Sequence, residues 1–227
     1  VGDKLQSLEF SNNFLTNITT EGLPNIEIDI KTPVNKNRRI KVTDMETVIN
    51  NLVNFKKYKL PEIQCDENIE RVYNDEPLTI VDSPQIYAND ADDDKVNKFC
   101  DKIMGYYKNE VENNNYNPND FLIVFPIMSG NVIAPELQTK IQEYWTQKSN
   151  NSEYTQYVHL HKHTEGTVIN TNDSINSTRI MSIRSSKGDG RKVVFILGVN
   201  EKSLKKVSDD ELGLVYDSHL HVALTRA

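Results

Sequence analysis

The chain has 227 residues, of which 37% are hydrophobic and 26% charged, with a formal net charge of −7. This is enough apolar material for one large domain, or a domain with a flank, and it excludes the profile of a disordered polymer. The acidic balance counts against a protein that is basic over its whole surface, although a nucleic-acid groove needs positive charge only locally.

In chain order, Val1-Gly2-Asp3 reads as a strand end turning into a short helix that carries Gln6 and Phe10. Ile26, Ile28 and Ile30 alternate with polar residues and predict a strand; Pro33 and 35–37 predict a turn. Thr43, with Glu46 three residues on, has the form of a capping box, and Val48, Ile49, Leu52, Val53 and Phe55 give the following helix its apolar side. Residues 61–77, between two prolines and without a period, read as a linker. Leu78 to Val81 reads as a strand, and Asp93 to about Glu112 as a helix with Val96, Phe99, Cys100, Ile103 and Tyr107 at helical spacing. Phe121 to Phe125 is a buried strand. A helix from about Pro135 carries Leu137, Ile141, Tyr144 and Trp145, with the proline in a tolerated first-turn position. Strands follow at Tyr157 to His161, Arg179 to Ile183 and Lys192 to Leu197, with a polar loop from Glu165 to Ser177, and a last helix begins near Leu212. Strands alternating with helices from Leu78 onward predict an α/β fold with a parallel sheet and helices on both faces. Ligands of such folds meet the carboxyl ends of the strands.

Cys65 and Cys100 are far apart and lack metal-ligand spacing, which fits two reduced thiols. His159, His161 and His163 share one strand face, but without cysteines or paired carboxylates they predict no metal site. The acidic patches at Asp90, Asp92, Asp93 and Asp94, and at Asp209, Asp210 and Glu211, read as helix caps or solvated loops. No apolar run approaches the ~20 residues of a membrane span, and no signal peptide is present, so no membrane partner is expected. The chain opens at Val1 and stops at Ala227 inside a helical pattern, as a fragment would.

Four clusters carry chemistry. VGDKLQS at 1–7 offers a tight turn at Gly2 and polar side chains at Asp3 and Gln6. Arg38 and Arg39 stand before a helix and could clamp phosphate oxygens, or be a solvated pair. At 179–198 a strand runs into Ser185-Ser186-Lys187-Gly188-Asp189-Gly190 and then into a very apolar strand; this is either a plain turn or a phosphate-contact loop whose backbone N–H groups approach where glycine removes the side chain. It lacks the spacing of a Walker A loop. HLHVALTRA at 219–227 ends on Arg226, which is either a solvated charge or a guanidinium presented toward another domain.

These clusters, in this order, resemble superfamily 1 helicases. VGDKLQS resembles motif III, and NRRI the arginine element that follows it. DFLIVFPIMSGNVIAPELQ at 120–138 resembles motif IV, IMSIRSSKGDGRKVVFILG motif V, and HVALTRA the motif VI of UvrD/Rep-like enzymes. The Asn-, Lys- and Ile-rich style is similar to that of large DNA viruses with AT-rich genomes. The resemblance departs at Arg184, where histidine is usual; at Gly190, where a glutamate is usual; and at Phe125-Pro126, where a Tyr-Arg pair is common. Little chain separates 138 from 179, which leaves little room for the large inserted subdomain of the UvrD/Rep group and favours a smaller superfamily 1 relative.

The resemblance implies a RecA-like sheet flanked by helices, the second motor domain of a P-loop NTPase, at 78–227. It implies a remnant of the first motor domain at 1–60 and a linker at 61–77. ATP and Mg²⁺ would act in the full-length protein, with Walker A and the Mg²⁺ ligands outside this chain, so the fragment alone would be inactive. Arg226 would be the arginine finger, Arg39 or Arg38 would reach the γ-phosphate, and Gln6 would sense it; Gly2, Asp3 and Gly188 would line the nucleotide side. Ser182, Arg184, Ser185, Ser186 and Lys187 would contact single-stranded nucleic acid, with DNA favoured over RNA. The missing N-terminal motor domain would be the other partner, in an intracellular setting, the cytoplasm or nucleus of a host cell if the source is viral. The competing readings are a non-catalytic nucleic-acid-binding or regulatory α/β module and a small-molecule domain of flavodoxin-like topology.

Overall fold

The computed structural model describes residues 36–37, 45–58, 62–65, 78–81, 92–149, 155–161, 172–205 and 212–226. Gly2, Asp3, Gln6, Arg38, Arg39, Thr43 and His163, the strand expected at 26–30 and the acidic residues Asp90 and 209–211 lie outside the described residues. The chain divides into two compact units, one of Val1–Val81 with Asn200–Thr225, the other of Asp82–Val199 with Arg226–Ala227. Residues 200–225 are thus grouped with the amino-terminal unit, whereas the sequence reading ran one domain from 78 to 227.

In the first unit a short parallel pair joins β1 (Lys36–Asn37) to β2 (Gln64–Cys65). Helix α1 (Met45–Leu52) buries Met45 and Ile49, and the buried Val53 and Phe55 follow it. Leu52, expected on the apolar side, is 38% exposed at the carboxyl end of the helix. Within the segment read as a linker, Asn50 holds Ile63 through both backbone groups, each at 2.9 Å. After the short α4 (Glu201–Leu204), α5 (Leu212–Leu224) buries Val215, Ser218, His219, His221, Val222, Ala223 and Leu224. This is more than one face of a helix, as a core helix requires. Inside the unit, His221 meets the Phe55 ring edge-on at 5.6 Å. The His219 Nδ1–H donates to the Val215 carbonyl at 2.7 Å.

The second unit is built on a four-stranded, all-parallel sheet in the order β4 (Val158–Leu160), β5 (Thr178–Ser182), β3 (Phe121–Phe125), β6 (Val193–Ile196). Central β3 is apolar at every position and buried at every position, as a strand covered on both faces must be. Its odd-numbered residues Phe121, Ile123 and Phe125 join Val158 and Ile180 in a core completed by α2 (Asp93–Asn114) and α3 (Ile133–Ser149). Both long helices therefore pack on one face of the sheet, and the other face, with Leu122, Val124 and Met181, is buried as well.

Local chemistry sets the helix ends. Asp92 accepts the Lys95 N–H at the start of α2, and Asn115 closes it in the left-handed conformation. Helix α3 begins two residues before Pro135, because the Asn131 side chain accepts the Ile133 and Ala134 N–H groups at 2.9 and 3.0 Å. Such a cap stabilises a helix by about 1 kcal/mol. Leu78 to Val81 form no strand, and Ile80 is 76% exposed; a short alternating run is not a strand without a ladder partner. Cys100 is a free, fully buried thiol pushed up to about 12 by burial. Among the described residues, no helix is long and apolar enough to cross a membrane.

Candidate functional site

Strand pairing sends Arg179 to the face opposite α2 and α3, since Arg179 is in register with Leu122 and its neighbour Ile180 with Ile123. On that side its guanidinium is buried and doubly engaged. Nη1 donates to Asp189 Oδ2 at 2.6 Å, and Nε donates to Ser174 Oγ at 2.9 Å. Ser174 Oγ also lies 3.0 Å from His161 Nε2. A guanidinium only donates, so the serine hydroxyl accepts from Arg179 and pairs with His161 through its remaining capacity. Burial, then the neighbouring His159 ring at 4.4 Å, then Arg179, push His161 down to about 4.

The segment from β5 to β6 forms the other wall. Residues 183–188 make helical turns, with Gly188 at φ +87, a value that L side chains rarely adopt. The turns are held from within. Ser185 N–H donates to Ser182 Oγ at 3.0 Å, Ser186 N–H to Ser182 O at 3.0 Å, Asp189 N–H to Ser186 O at 2.9 Å and Gly190 N–H to Asp189 Oδ1 at 2.9 Å. These four amides are bonded within the loop itself. Arg191 then donates from Nη1 to the Asn119 and Ile175 carbonyls. Its pKa is lowered, first by burial and then by Arg179.

Arg226 is the residue that joins the two clusters at the chain's end. It is 6% exposed, and its Nη1 donates to Ser186 O at 3.2 Å and to Asp189 O at 3.3 Å. Its own carbonyl accepts the Arg191 N–H at 3.0 Å. Backbone and side chain of Arg226 thus both grip the 186–191 segment.

The expected site residues separate by burial. Arg184, Lys187 and Gly188 are exposed, and Ser182 and Ser185 are half-buried with their hydroxyls bonded to each other at 2.8 Å. Ser186 is fully buried, and its hydroxyl donates to Ile183 O at 2.8 Å. In this structure Ser186 holds the turn from within. Sequence reasoning missed Arg179, Asp189, Ser174 and His161. The available signal was a guanidinium inside the apolar run 179–183, which in a buried strand demands a carboxylate partner. Among the described residues, no group of three or more His, Cys, Asp or Glu could hold a metal ion. No protein-family model, no curated protein and no solved structure matches the chain.

Proposed function

We propose that this chain supplies the second, RecA-like motor domain of an ATP-driven nucleic-acid translocase of superfamily 1 helicase type. The observation that carries the reading is the bonding of Arg226 to the Ser186 and Asp189 carbonyls, because it joins the two segments that most resemble motifs V and VI. The all-parallel α/β sheet is of the class such a domain requires. Arg226 acts as the arginine finger. Charge grows on a transferred phosphoryl group, and a guanidinium whose plane is already fixed stabilises it without reorganising. ATP supplies the bond whose cleavage drives stepping; the chain's own contributions are Arg226 and the exposed cations Arg184 and Lys187, which grip the nucleic-acid backbone. Mg²⁺ is assigned no residue here.

The test is single-strand-stimulated ATP turnover by the full-length protein. Arg226→Ala should lower turnover by about 10³-fold or more while nucleotide binding persists. Unchanged turnover in that variant removes the assignment. The burial of Arg226 favours a second reading, a non-catalytic nucleic-acid-binding module. Strand binding by a full-length protein with no ATP turnover selects it.

A further inference from the structure

The buried network beneath Arg226 has an order to it. Arg179 fixes the Asp189 carboxylate at 2.6 Å; Asp189 Oδ1 in turn accepts the Gly190 N–H at 2.9 Å, and the Asp189 N–H reaches Ser186 O at 2.9 Å. The Asp189 side chain thereby orients the 189–190 peptide, whose carbonyl is Asp189 O, while the Asp189 backbone N–H engages Ser186 O. Ser186 O and Asp189 O, one engaged by the backbone of residue 189 and the other set by its side chain, are the acceptors of Arg226 Nη1. Both ends of the Arg179–Asp189 pair are largely removed from solvent, with 8% and 16% of their side chains exposed. In such surroundings a charge pair is directional and is costly to break. The pair lies ten residues apart along the chain.

We propose that the Arg179–Asp189 ion pair is a positioning device that sets the two carbonyls holding Arg226, and so aims this guanidinium. The proposal deepens the function given above, in that Arg179 and Asp189 are positioning residues for the finger, but the placement of Arg226 is measurable without any activity.

The experiment is modification of the full chain by an arginine-directed dicarbonyl reagent, with each arginine's rate mapped by mass spectrometry. In the native chain Arg226 is slow. Asp189→Asn removes the charge and keeps the shape, and should raise Arg226 reactivity by about tenfold or more, as a local opening does. Leu137→Ala, a core variant on the opposite face, serves as a control for general loosening and should leave Arg226 slow at an equal loss of Tm. If Asp189→Asn does not fold, Asp189→Glu keeps the charge for Arg179 but lengthens the arm, and it too should expose Arg226. Arg226 equally slow in the Asp189 variants, or equally fast in Leu137→Ala, overturns the proposal. A native full-length protein without strand-stimulated ATP turnover would sink the helicase reading while leaving the protection result to decide the positioning role by itself.

Discussion

His161 shows how a single side chain's protonation is dictated by its neighbours. It is buried against His159, Arg179 and, through Ser174, the Arg179–Asp189 pair, with Asp173 and Asp189 as the nearby acids. Its folded pKa, about 4, lies below its ordinary value of 6.5. Between these values the unfolded chain binds a proton that the folded chain does not, so stability rises with pH across that window. The contribution is fully present above about pH 6.5 and is lost as pH falls toward 4. Chemical denaturation at intervals between pH 4 and 7 should show this slope, and His161→Gln should flatten it. An unchanged slope in the variant would mean that other groups carry the pH dependence. The chain's histidine spacing made the shared face of His159 and His161 legible. Their partners were not, because Ser174 comes from a 3₁₀ turn and Arg179 from the next strand, and nothing local announces either contact.

At the scale of elements, the α2–α3 layer is locked to the sheet by a directed chain of hydrogen bonds. Trp145 Nε1 donates to the Tyr107 hydroxyl at 2.9 Å, Tyr107 donates to Thr178 Oγ1 at 2.6 Å, and Thr178 donates to Pro118 O at 2.8 Å. Burial raises the Tyr107 phenol well above its ordinary pKa, so it stays a donor throughout. Tyr107→Phe removes the central link and leaves the Trp145 N–H buried without an acceptor. The expected loss is about 1–3 kcal/mol, read as a shifted urea midpoint with unchanged slope. A midpoint within error of the native one would show that the relay contributes no net stability. The helices themselves were readable from spacing and caps. That both lie on one face was not, because each amphipathic stripe declares that it is buried and not what covers it. Strand β3, buried at every position, gives no alternation from which to tell its two faces apart.

For the molecule as a whole, a formal charge of −7 means that any grip on nucleic acid must be local. The exposed Arg184 and Lys187, beside the half-buried Ser182 and Ser185, are where it would be found. Lys187→Ala should weaken single-strand binding for all sequences alike. It should also reduce the steepness of log K against log salt by about 0.7, the counterion released per phosphate contact. Binding that becomes sequence-selective, or a slope that does not move, would assign Lys187 elsewhere. By itself, the order of residues determined the α/β class of the second unit, the existence of its main elements and the four clusters worth testing, because periodicity, caps and turn chemistry act over a few residues. Only the tertiary structure decided that Arg226 rests on Ser186 and Asp189, forty and thirty-seven residues away, and that Arg179 stands beneath them. Such pairings depend on which strands lie side by side and which face each residue takes, and a contact between distant segments leaves no local pattern from which it could be read.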